Sequence, residues 1–154
     1  MLGYHVHEKA IMTAIIPLTL LAPSSRENAR LFIRTCMFGL FGLFPLLFQP
    51  EELLIKSNLF LVWMMMAVHG LESLLFKSDK DSLLTQVDKV AATVLSSIYL
   101  FMEIIHPLVF LPSGKFEFLP LMATSVTCSI GLFYCWIKSG LQMMNCLKTK
   151  TKPI

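Results

Sequence analysis

The stretch that decides the fold is FLPLMATSVTCSIGLFYCWI, residues 118–137, which contains no formally charged side chain. As an α-helix, about 20 such residues span the roughly 30 Å hydrocarbon core of a bilayer. It is not isolated. Residues 90–110 carry Glu103 as their only acid and no lysine or arginine. Of the 154 residues 55% are hydrophobic and only 15% charged, whereas a soluble domain has about 25% charged. The mean hydropathy is +0.68. These features imply an all-α polytopic membrane protein.

Five apolar helices are predicted, over residues 8–22, 31–48, 53–76, 90–111 and 118–144. Pro17 lies inside the first, where neighbouring helices in a membrane can satisfy the freed carbonyl. Gly39 and Gly42, in FGLFGLF, offer places for close helix approach. PSSREN (23–28), QPEE (49–52), residues 77–89 and PSGKFE (112–117) read as polar connections. Cytosolic loops retain lysine and arginine, and the spans sort these residues unequally. One side collects Arg26, Arg30, Arg34, Lys77, Lys80, Lys89, Lys138, Lys148, Lys150 and Lys152; the other has only Lys9, Lys56 and Lys115. The first side is therefore cytosolic, with the tail 145–154, and the N-terminus lies on the opposite side.

The final residues, KTKPI, place Lys150 and Lys152 in a K-x-K-x-x arrangement. Two readings stand: an endoplasmic reticulum (ER) retrieval address, or a basic tail of the kind that often follows a last span. Retrieval would make the outer side the ER lumen. No signal peptide opens the chain. It begins instead on a polar motif against an apolar run, and so reads as the interior of a longer protein.

That motif is YHVHEK, residues 4–9. A zincin H-E-x-x-H would need histidine at position 11, where Ile11 stands. No cysteine or carboxylate cluster completes a metal site, and Cys36, Cys128, Cys135 and Cys146 have neither CxxC spacing nor a lumenal position, so neither a zinc site nor a disulfide framework is expected. In a helix starting near Tyr4, His5 and Lys9 share a face, with Tyr4 and Glu8 on the neighbouring one. Donors grouped beside a helix N-terminus at headgroup depth would hold a phosphate. The same residues also suit a plain interfacial helix start with Tyr4 as a belt aromatic. The residues alone leave both open.

Further along, Glu103 and His106 are predicted to pair locally near the lumenal end of the fourth span, a proton relay being the alternative. His69 and Glu72 read as structural. No Gly-rich phosphate loop, Ser/His/Asp set, nucleic-acid patch or Asn-x-Ser/Thr sequon is present.

GYHVHEKAIM (3–12) closely resembles the G-[WF]-H-V-H-E-K-[AS]-I-L signature of the ER dolichyl-phosphate-glucose-dependent α-1,3-glucosyltransferases, polytopic GT-C enzymes of N-glycan precursor assembly. LFPLLFQPEELLIK (43–56) is similar to the F-P-L-L-F…P-E-L-P-I-K segment of the branch that adds the second glucose. Residues 118–138 are similar to that branch's [FI]-[IL]-P-L-L-L-T-S-V-x-C-x-x-G-x-x-Y-x-W-x-K segment. Tyr4 replaces the usual Trp or Phe, and Leu54 stands where the branch tends to have Pro.

The resemblance covers essentially the whole chain and implies the C-terminal part of a GT-C-like bundle. It implies transfer of glucose, with inversion, from dolichyl phosphate glucose to a dolichyl-diphosphate-linked oligosaccharide; no cofactor, metal or nucleic acid is expected. His5, His7 and Lys9 would grip the donor phosphate, with Glu8 orienting one of them. The general base would lie in an N-terminal loop outside this chain, leaving no catalytic residue here and the chain alone inactive. A non-catalytic multi-span fragment or subunit is the competing expectation.

Overall fold

The computed structural model describes residues 10–44, 53–75, 82–109 and 118–150, and these contain helices and turns without a strand. Helix α1 is Ala10–Leu21, apolar on every side and containing Pro17. It passes through a 3-10 turn, Ala22–Ser24, with Pro23 at its start. Ser25 is extended, and its hydroxyl accepts the Asn28 N–H at 3.2 Å, capping helix α2, Arg26–Phe41. Glu27 in the first turn suits the positive end of the helix dipole.

The second helix thus starts inside the segment read from sequence as a polar turn. The cap converts PSSREN into a helix entry, and Ala29 just beyond it is fully buried. Helix α3 is Leu53–Leu75. Helix α4, Gln86–Leu100, runs into a π turn, Phe101–Ile105, and then a short helix α5, His106–Val109. Helix α6, Leu119–Lys150, closes the described part.

Helix α2 is the hub, packed against α1, α3, α4 and α6. Ile33, Cys36 and Phe41 of α2 join Ile15 of α1, Leu71 of α3, Leu95 of α4 and Cys128 of α6 in one core. Two glycines permit this closeness. A Cβ at Gly39 would lie 2.8 Å from Ile11 Cγ1, so α1 presses on α2 where the sequence placed a close approach. At Gly131 of α6 a Cβ would fall 2.3 Å from the Phe38 ring, a contact the sequence reading missed.

Among the described residues, two helices are long and apolar enough to cross a membrane, Leu54–Leu75 and Leu119–Lys148. Both expose most of their apolar side chains: Leu59, Met66 and Leu74 on α3, and Ile130 and Trp136 on α6, are each at least two-thirds exposed. The other three expected spans differ. The first is apolar but short, Ile11–Ser24. Where the second was expected, over 31–48, helix α2 starts earlier and so carries Arg26, Arg30 and Arg34 within its sixteen residues; residues 45–48 lie outside the described ones. The fourth is interrupted by the π turn. Helix α6 also runs past the expected limit at 144; its 32 residues extend about 48 Å at 1.5 Å per residue.

Candidate functional site

The residues singled out from sequence, His5, His7, Glu8 and Lys9, lie outside the described residues, as does Lys152. Lys150 ends α6, and its side chain is not described. In the chain, YHVHEK immediately precedes Ala10, the first residue of α1.

Within the described part, α2, α3 and α4 enclose a cleft of about 610 Å³. Its walls are apolar and aromatic, with Phe41, Met64, Val68 and Leu95 among them. Polar groups gather at its two ends. At one end the Ser57 and Tyr99 hydroxyls share a hydrogen bond of 2.5 Å across α3 and α4. One residue away, Lys56 Nζ meets Glu103 Oε1 at 2.7 Å, with side chains 7% and 21% exposed. Phe44 covers this end: Lys56 Nζ lies 5.9 Å from its ring centroid, and the Phe60 and Tyr99 rings pack edge-on against it.

Glu103 therefore pairs across helices, not with His106 as its spacing suggested. The reason lies in the π turn. Pro107 has no N–H to give the Glu103 carbonyl, and the His106 N–H bonds instead to the Phe101 carbonyl five residues back. The wider turn changes the angular step between residues 103 and 106, so the i, i+3 rule of an α-helix no longer applies. His106 is buried and packs edge-on against Phe101.

At the opposite end two arginines of α2 fasten the entry to α4. Arg30 Nε donates to the Leu83 carbonyl at 3.1 Å and Arg34 Nη2 to the Thr85 hydroxyl at 2.9 Å. Arg34 also makes a two-pronged ion pair with Asp88. Asp88 Oδ2 in turn accepts the Thr85 N–H at 2.8 Å and its hydroxyl at 2.6 Å, the reach-back half of a capping box. From α3, Glu72 Oε1 accepts the Leu83 N–H at 3.0 Å, which makes its role structural. Asp88 is buried just before the apolar run begins at Val90. Burial alone would push its carboxyl up, but the hydrogen bonds from Arg34 and Thr85 hold it below the usual carboxylate range. The sequence signal for this cap was T-Q-V-D (85–88), a T-x-x-D ahead of an apolar run.

No group of three His, Cys, Asp or Glu side chains that could hold a metal ion occurs among the described residues. The site described is an apolar cleft with the Lys56–Glu103 pair at one end and Glu72, Asp88, His69 and Lys89 at the other. It can receive an apolar chain, and it contains no paired nucleophile and base.

Among the described residues, the all-helical architecture and two helices of membrane-crossing length with exposed apolar faces support a helical membrane protein. The model of the ALG6, ALG8 glycosyltransferase family matches residues 1–139, and the chain belongs to that family. Among relatives, the chain is 35% identical over 153 residues to a protein of Mus musculus named dolichyl pyrophosphate Glc1Man9GlcNAc2 alpha-1,3-glucosyltransferase, covering 99% of this chain and 28% of that protein. The like-named proteins of Bos taurus and Arabidopsis thaliana are 35% and 30% identical, covering 90% and 88% of this chain and 26% and 28% of their own lengths. The chain spans about a quarter of the length of the curated relatives it matches. No solved structure matches.

Proposed function

We propose that this chain is the C-terminal part of an α-1,3-glucosyltransferase that moves glucose from dolichyl phosphate glucose to the dolichyl-diphosphate-linked oligosaccharide of N-glycosylation, adding the second glucose. The observation that carries this reading is the family match over residues 1–139, which includes YHVHEK. The shared name of the mouse, cattle and Arabidopsis relatives supports the second-glucose branch.

In this reading the chain is an ER multi-pass segment of five spans with a lumenal start, and Lys150 and Lys152 form the cytosolic retrieval signal. His5, His7 and Lys9 hold the donor phosphate at the lumenal headgroup level, and Glu8 fixes one of them. Departure of a dolichyl phosphate builds negative charge on its oxygens, and preorganised cationic donors stabilise that charge. The hydroxyl of the acceptor needs a base, which the remainder of the enzyme supplies.

The test is a chimera in which this chain replaces the matching segment of the mouse relative. Microsomes containing it should glucosylate a lipid-linked acceptor that already bears one glucose, and not one that bears none. Transfer to the unglucosylated acceptor alone would reassign the branch, and no transfer by a stably inserted chimera would remove the proposal.

A further inference from the structure

The cleft between α3 and α4 has two unlike ends. At the Ser57 end, Lys56 and Glu103 neutralise each other. At the other end both carboxylates are already engaged, Glu72 by the Leu83 N–H and Asp88 by Arg34 and Thr85. His69 and Lys89 line that same end, both exposed, and neither has an ion-pair partner among the described residues. A cleft with apolar walls thus ends in a basic mouth.

The rise along α3 from Ser57 to His69 is about 18 Å, close to one leaflet of a hydrocarbon core roughly 30 Å thick. The long side opens between Leu61 and Met65 on α3 and Leu100 on α4, all more than half exposed. An apolar chain can enter sideways there without crossing a polar barrier. We infer that the cleft is a binding site for an anionic phospholipid, with one acyl chain along Met64, Val68 and Leu95 and the phosphate at His69 and Lys89. The lysine and arginine distribution assigns that mouth to the cytosolic leaflet. Only this choice of leaflet rests on the orientation proposed above.

The full chain is reconstituted in nanodiscs of equal phosphatidylcholine and phosphatidylserine, and native mass spectrometry counts the lipids it retains on release. The expected result is one phosphatidylserine per chain, favoured about fivefold over phosphatidylcholine, the preference that one lysine near an anionic surface gives. Ala92→Trp, which fills the cleft, should abolish retention. The surface variant H69Q/K89Q should keep a lipid and an unchanged melting temperature but lose the preference. Absence of retained lipid, equal retention of both lipids, or an undiminished preference in H69Q/K89Q would overturn the assignment. So would a lipid-free dimer, with a second copy over the cleft, or displacement of phosphatidylserine by equimolar dolichyl phosphate. Both leaflets have the same composition, so neither the orientation nor the glucosyltransferase reading affects the outcome.

Discussion

Lys56 on α3 and Glu103 in the π turn meet at 2.7 Å, both largely withdrawn from solvent. Removing one partner leaves the other charge in a medium that solvates it poorly. Lys56→Met should therefore lower stability by about 3 kcal/mol, whereas K56M/E103L should return to within about 1 kcal/mol of the parent. Thermal unfolding in one detergent checks both. A double variant as unstable as the single one would mean that packing, not charge, dominates at this position.

Asp88 links the start of α4 to Arg34 in the middle of α2. Its folded carboxyl titrates below the unfolded value of about 3.9. A depressed folded pKa gives stability that is fully present above the unfolded value and lost as pH falls through the folded one. The melting temperature should thus gain no Asp88-dependent loss between pH 7 and about pH 5, and fall below pH 4. Asp88→Asn should cost about 3 kcal/mol at neutral pH and flatten that acid limb. An unchanged limb in the variant would assign it to another carboxylate.

Gly131 and Gly140 lie on the same helix in opposite situations. A Cβ at Gly131 meets the Phe38 ring at 2.3 Å, while one at Gly140 meets nothing within 4 Å. Gly131→Ala should destabilise by about 1–3 kcal/mol through overpacking. Gly140→Ala should stabilise by about 0.5–1 kcal/mol through helix propensity. Equal effects in thermal melts would contradict the close contact of α6 with α2.

The apolar runs alone pointed to helix through Leu53–Leu75 and from about residue 118, where α3 and α6 are found. The starts of α2 and α4 were missed because Ser25 and Thr85 caps turn polar residues into helix entries. Both caps are local signals, S-x-x-N and T-x-x-D, and could have been read. The Lys56–Glu103 pair could not, since it joins helices far apart in sequence and depends on a π turn that Pro107 favours. Gly131 was equally opaque: which glycine meets a ring depends on how α2 and α6 cross. For the proposed site, sequence supplied YHVHEK, which lies outside the described residues. The fold supplied the cleft, whose lining comes from three helices and has no contiguous signature.

In the proposed function His7 and Lys9 hold the donor phosphate. Its most direct test is the rate of glucosyl transfer from dolichyl phosphate glucose by the mouse chimera with His7→Ala or Lys9→Ala, normalised to chimera abundance in microsomes. Each variant should lose about 100-fold in transfer, the scale of removing one donor to a developing anion, with abundance unchanged. Turnover equal to the parent chimera in both variants would contradict the claim.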